Sequence, residues 1–230
     1  MRKRIAATSF AVGLIGLVAV TSAFAAMVGV YRNEMGSTAA RAQMIKISGA
    51  SCARGGSTDT LKVTIGKKTD ACSFRTPVIG RDLEIGATER LLSGTPKAVQ
   101  RKAYLGLELR AGGGAKYQLL VYPTQRKAQL IKYTAAGPEY FDIAKDLRSV
   151  MGVNKANKLR LRALQIRTGP EKGRTSVVGF IGSERVVEGI DAVPGDLAGE
   201  ASTVAVGAAK NGNGVVASID DVVVRTPVHF

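Results

Sequence analysis

The clearest pattern in the chain is a strict alternation of apolar and polar positions between Tyr104 and Tyr133. In YLGLELR, Leu105, Leu107 and Leu109 alternate with Gly106, Glu108 and Arg110, a period of two that gathers the leucines on one face of a β-sheet. Gly112, Gly113 and Gly114 follow, where a tight reversal needs positive φ angles. KYQLLVY then sets Tyr117, Leu119 and Val121 against Lys116, Gln118 and Leu120, and after a turn from Pro123 to Arg126 a third run, KAQLIKY, returns. A three-stranded meander buries little alone, so its leucine face predicts a second sheet packed upon it.

The remaining segments supply that sheet. MIKIS (44–48) reads as an edge strand, and LKVTIG places Leu61, Val63 and Ile65 on one face. Leu83, Ile85 and Ala87 alternate with Asp82, Glu84 and Gly86, and Leu159, Leu161 and Ala163 alternate with Lys158, Arg160 and Arg162. TSVVGFIGSERVVEGI predicts a hairpin turning at Gly182-Ser183; STVAVGAAK and GVVASIDDVVVRTP predict the last two strands. Ile143, Leu147 and Val150, at spacings of four and three, predict one helical turn. Strands at roughly ten-residue intervals with almost no helix argue an all-β sandwich of two antiparallel sheets.

Ahead of this lies a different pattern. Arg2, Lys3 and Arg4 precede an uncharged run from Ile5 to Tyr31. A basic cap on such a run predicts a hydrophobic helix over residues 1–31 with its N-terminus in the cytoplasm, a spacer over 32–42, and an exported domain over 43–230. Two readings of the helix stay open. Length favours an uncleaved membrane anchor, whereas Ala23-Phe24-Ala25 has the small-x-small form of a signal-peptidase site, which would release a soluble protein.

Export changes the meaning of the charge. The chain of 230 residues has 33 basic and 18 acidic residues; setting aside Arg2, Lys3 and Arg4 leaves 30 against 18, a charge of about +12 on the exported part. Outside the cytoplasm such a field points to anionic wall polymers, glycans, lipid headgroups or acidic proteins rather than nucleic acid. The alternative is a solubilising excess of lysine. Cys52 and Cys72 predict one disulfide, because the compartment is oxidising; with His229 the lone histidine, two thiols cannot make a structural zinc site, and no metal or cofactor is expected. The sharpest charge feature is the row Lys158, Arg160 and Arg162, spaced by about 6.6 Å along one strand face and continued by Arg167. It is a candidate contact for an anionic ligand, or a solvated face answered by a carboxylate such as Glu108.

The order LGLELRAGGGAKYQLLVYPTQRKAQLIKY, NKLRLRALQI, VVGFIGSERVVEG, STVAVGAAK and SIDDVVVRTP resembles bacterial exported domains of the concanavalin A-like lectin/glucanase jelly roll, near the laminin-G-like branch, over Cys72 to Pro227. The resemblance implies a jelly-roll β-sandwich. Its members include glycan-binding modules, glucanases and adhesion domains, so activity must be argued from the site. The glucanase branch carries an ExDxxE set that places two carboxylates for a retaining mechanism. Here Asp82-Leu83-Glu84 is followed by Ile85 and Gly86, Glu184 and Glu188 straddle a hairpin turn and its return strand, and Glu108 stands alone as the orphan candidate. The expectation is therefore a membrane-anchored, non-catalytic binding domain at the cell envelope. Its candidate ligand residues are Lys158, Arg160, Arg162, Arg167, Tyr117 and Glu108, with an anionic glycan or wall polymer as partner. Tyr133, Tyr140 and Phe141 are further aromatic candidates, set against a packing role. The resemblance also raises a structural calcium at Asp220-Asp221 or at Asp191 with Asp196, against local bonding to backbone amides. The alternatives are a structural or protein-interaction module of an envelope assembly, and a glycoside hydrolase.

Overall fold

The computed structural model describes residues 27–48, 51–56, 59–67, 70–197, 199–209 and 212–228. In chain order these form β1 (Met27–Asn33), a short helix α1 (Thr38–Ala42), β2 (Ile45–Ser48), β3 (Cys52–Gly55), β4 (Leu61–Ile65), β5 (Ala71–Ile79) and β6 (Leu83–Leu91). After a one-turn helix α2 (Lys97–Gln100) come β7 (Ala103–Gly112), β8 (Ala115–Tyr122), β9 (Lys127–Thr134) and β10 (Gly137–Ala144). The chain closes with β11 (Asn157–Gln165), β12 (Thr175–Ile181), β13 (Glu184–Asp191), β14 (Ala201–Ala208) and β15 (Val216–Pro227).

Two antiparallel sheets result. Sheet A runs β13-β12-β11-β6-β15-β4-β3, and sheet B runs β10-β9-β8-β7-β14-β5-β2. The long strand β15 has β6 on one side, while β4 and β1 share the other, β4 against Val216–Ile219 and β1 against Val222–Pro227. Leu105, Leu107 and Leu109 of β7 and Leu119 and Val121 of β8 meet Ile85 of β6, Leu159 and Leu161 of β11 and Val177 of β12 in one continuous core. The expected leucine face is thus covered as the alternation requires; truncating one such leucine to alanine costs about 2–5 kcal/mol. Gly179 permits the close fit, since a Cβ there would lie 2.8 Å from a Leu119 methyl and 2.7 Å from one of Val187.

Cys52 and Cys72 form the expected disulfide, with Cα atoms 6.0 Å apart. Because Cys52 lies on β3 of sheet A and Cys72 on β5 of sheet B, the bond staples one layer to the other. A second tie is polar. Tyr117 Oη donates to Asp191 Oδ2 at 2.5 Å and Lys132 Nζ to Asp191 Oδ1 at 2.9 Å, so two strands of sheet B hold the end of β13. Burial works to raise the Asp191 pKa, but the bonds from Lys132, Tyr117 and the Val193 N–H outweigh it and hold the group below its usual value.

Three expectations need correction. The predicted helical turn at Ile143, Leu147 and Val150 is absent: Ile143 belongs to β10, a fourth strand of the meander paired with β9, and Asp146 at φ 55° ends the extended run. Residues 1–26 of the predicted hydrophobic helix lie outside the described residues, but its last part, Met27–Tyr31, is strand β1, paired from Met27↔Pro227. Among the described residues no helix is long and apolar enough to cross a membrane. Nor is 32–42 a free spacer. Met35 and Met44 are fully buried, and the Asn33 side chain accepts from Met35 N at 2.9 Å and donates to Ala40 O at 2.6 Å, so this segment is part of the domain.

Candidate functional site

The outer faces of the two sheets differ in chemistry. On sheet A, alternation turns Lys158, Arg160 and Arg162 away from the core, and the register sets Arg162 opposite Glu84 of β6 and Arg160 opposite Gly86. Arg225 of β15 faces Glu84 from the other side. The Glu84 carboxylate is buried and receives three guanidiniums: Arg162 through Nη2 at 2.6 Å and Nε at 2.7 Å, Arg225 Nη1 at 2.9 Å, and Arg160 Nη1 at 3.7 Å. The ring of Phe180 on β12 lies beneath Arg160 and Arg162, at 4.2 and 5.3 Å from its centroid. These contacts fix the guanidiniums by stacking as well as by charge. One carboxylate cannot balance three cations, so the cluster keeps a net charge of about +2.

The basic row is therefore answered by Glu84 and not by Glu108, which lies on the other sheet. Arg167 stands apart. It is exposed beyond the end of β11 and meets Asp82 at 3.5 Å, a carboxylate it shares with the buried Arg110. Tyr117 is no surface residue: it is fully buried between the sheets, its hydroxyl on Asp191 and its ring under Arg110 at 5.5 Å. Burial pushes its hydroxyl pKa up, and the bond to Asp191 adds to this.

The outer face of sheet B gathers the aromatics. Tyr104 of β7, Tyr122 of β8 and Tyr133 of β9 fall at outward positions, and Tyr140 on the edge strand β10 pairs with the outward Ile131. Tyr104 meets Tyr122 edge-on at 6.0 Å, and both pack with Leu120 and Ile131. Between them lies a polar row fixed by register: Thr203 of β14, Glu108 of β7 and Gln118 of β8. Glu108 is buried, accepts from Gln118 Nε2 at 2.8 Å and is ion-paired to Lys116, whose ammonium stands 5.5 Å above the Tyr133 ring. Thr203 Oγ1, also buried, has no hydrogen-bond partner among the described residues. Burial raises the pKa of all three: Tyr104, where Glu108 adds to it; Tyr122, pushed up to about 12; and Tyr133, with added effect from Tyr140 and Glu108. Tyr104 and Tyr122 were hidden in the sequence, although their parity with Glu108 and Gln118 was there to read.

The aspartates considered for calcium have other partners. Asp191 and Asp196 share Lys132, at 2.9 and 3.6 Å, and Asp220 accepts from the Asp221 amide at 2.7 Å. No group of three or more metal-ligating side chains occurs among the described residues.

No protein-family model matches the chain, and no curated protein matches it in sequence. Solved structures do match in shape. A Bacillus subtilis protein of unknown function with a galectin-like fold aligns at a TM-score of 0.64 with 13% identity, covering 88% of this chain and 97% of that one. The carbohydrate-binding module CBM66 from Bacillus subtilis aligns at 0.54 with 14% identity over 78% of this chain and 93% of its own. An endo-1,3-beta-glucanase from Streptomyces sioyaensis aligns at 0.57 with 8% identity over 88% and 97%. The fold is a galectin-like, concanavalin A-like jelly roll. At these identities the likeness is one of architecture, and the chemistry must come from the side chains described above.

Proposed function

We propose that this jelly roll is a non-catalytic glycan-binding domain of the cell envelope, and that it binds sugar on the tyrosine-bearing face of sheet B. One observation carries the reading: the outer face of sheet B bears a partly accessible Tyr133 and an exposed Tyr140 beside the buried row Thr203, Glu108 and Gln118, with Tyr104 and Tyr122 packed behind them. A sugar ring presents C–H edges to aromatic faces and hydroxyls to paired donors and acceptors. Tyr133 and Tyr140 offer the aromatic surface, and the partly exposed Lys116, held by the buried Glu108, offers the polar partner. The carbohydrate-binding module among the structural matches supports the reading through shared architecture.

A hydrolytic reading lacks its second acid among the described residues. A retaining mechanism needs two carboxylates about 5–5.5 Å apart. The cross-strand neighbours of Glu108 are Thr203 and Gln118, and the residues two positions along its strand are Gly106 and Arg110. Glu84, the other buried carboxylate on an outer face, is engaged by three arginines.

The basic cap, the uncharged run and the disulfide support export. With β1 beginning at Met27, the run left for a helix is the 22 residues from Ile5 to Ala26, about 33 Å as an α-helix against a hydrocarbon core of roughly 30 Å. On this reading the segment is retained and holds the domain directly on the outer membrane surface. Recovery of the chain from the membrane fraction with its full-length mass tests this; a soluble product starting near Ala26 would instead show cleavage.

The glycan reading is tested on a neutral oligosaccharide array with the full chain in detergent. Tyr133→Ala and Tyr140→Ala should each weaken the best binder by about threefold to tenfold, the worth of one aromatic contact. Affinity unchanged in both variants would remove sugar from this face.

A further inference from the structure

On sheet A, the row that carries Arg160 continues through Gly86 to Val223 and Arg32, because β11, β6, β15 and β1 lie side by side in that register. Gly86 contributes no side chain. The space above it is a groove of about 220 Å³ lined by Gly86, Thr88, Lys158, Arg160, Asp221 and Arg225, among others. That is room for several waters, or for a tetrahedral oxyanion with part of its shell.

Three features make the groove electropositive and preorganised. Arg160 and Arg225 share Glu84 with Arg162, so their charge exceeds that of the carboxylate. Phe180 holds the Arg160 plane, which lowers the entropy lost when a ligand engages it. Lys158 at the rim is exposed and makes no ion pair among the described residues. Asp221 is the opposing charge, and it already pairs with Arg32 at 3.2 Å.

We propose that this groove is a second, anion-specific subsite that binds sulfate or phosphate ester groups on a polyanionic polysaccharide. The planar guanidiniums suit the paired oxygens of such esters, and an oxyanion there completes the neutralisation that Glu84 leaves unfinished. It lies on the opposite sheet from the tyrosine face, so the two sites stand or fall separately.

The test compares dextran sulfate with uncharged dextran, using the full chain in neutral detergent micelles and isothermal titration at low and moderate salt. Dextran sulfate should bind with a salt-dependent affinity and uncharged dextran should not bind at this site. Lys158→Glu should weaken dextran sulfate by about tenfold or more, whereas the matched reversal Lys172→Glu, in the loop between β11 and β12, should change it by less than about twofold. Arg160→Gln is a second variant whose fold is protected, because Glu84 keeps Arg162 and Arg225; it should weaken binding comparably. Tyr133→Ala should leave it unchanged, which separates this outcome from failure of the sugar reading. Equal losses at Lys158 and Lys172 would reduce the effect to diffuse net charge and overturn the subsite. So would binding confined to micelles doped with an anionic phospholipid, which would assign the face to a membrane.

Discussion

Replacing Glu84 by glutamine is the most informative single change, because it should move stability and anion affinity in opposite directions. The side chain keeps its shape and one acceptor, but three guanidiniums lose their shared counter-charge. At an effective dielectric near 20, one contact at about 4 Å contributes about 4 kcal/mol of gross attraction, partly offset because Glu84 no longer needs desolvating. Removing one partner of a buried pair costs about 3–5 kcal/mol. The Arg160 and Arg225 side chains are 29% and 34% exposed, so water screens two of the three contacts and the lower end applies. The expected loss is about 3 kcal/mol, read as a lower urea midpoint at unchanged slope, or about 6–12 °C in Tm. In the same variant dextran sulfate should bind more tightly and, at saturating concentration, return part of the lost stability by mass action. A loss below about 1 kcal/mol would refute the account, since the arginines would then be balanced by water and stacking rather than by Glu84.

Glu89 invites a pH experiment. It is fully buried in the sandwich, one oxygen accepts from Gly106 N at 3.3 Å, the other has no partner among the described residues, and burial raises its pKa well above 4.5. The folded state therefore holds a proton that the unfolded chain releases, so this contribution is complete below about pH 4.5 and is lost progressively as pH rises towards the folded pKa. Glu89→Gln should flatten that decline and be the more stable protein at pH 8; denaturation curves from pH 5 to 8 with the same slope in both proteins would contradict it. Replacing Cys52 and Cys72 by serine should cost about 3 kcal/mol for a loop closed over a separation of 20 residues, measured by denaturation with and without reductant. No added sensitivity to reductant in the parent protein would show that the bond does not constrain the unfolded chain.

Much of the architecture was legible because the sandwich is built from strict alternation. β7, β8, β9 and β11 announce both their extent and their buried face, and the bond expected between Cys52 and Cys72 is present. The misses have local causes. β5 contains Pro77, which argues against a central strand; it is tolerated because β2 pairs only with Ser73–Arg75 and a register shift follows there against β14. β10 imitates a helix because its Ile143 happens to stand four and seven residues from Leu147 and Val150 in the turns beyond. β1 was masked by an apolar run that continues upstream without a break. The site was harder to read because it depends on long-range pairing. That Lys158, Arg160 and Arg162 are outward is a local fact, but that Glu84 lies opposite Arg162 depends on a β6–β11 register spanning more than seventy residues. The convergence of four tyrosines likewise needs three consecutive registers.

The position of β15 bears on how the protein is made. Its twelve residues lie in the middle of sheet A, with β6 on one side and both β4 and β1 on the other, and its last pairings join Pro227 to Met27. In chain order β1 comes first, yet among the described strands it pairs only with β15, the last to be made. Until then sheet A is three unjoined pieces: β13-β12-β11-β6, β4-β3 and β1 alone. Completion of the sheet must wait for β15, and a chain truncated before Val216 keeps open strand edges that invite aggregation.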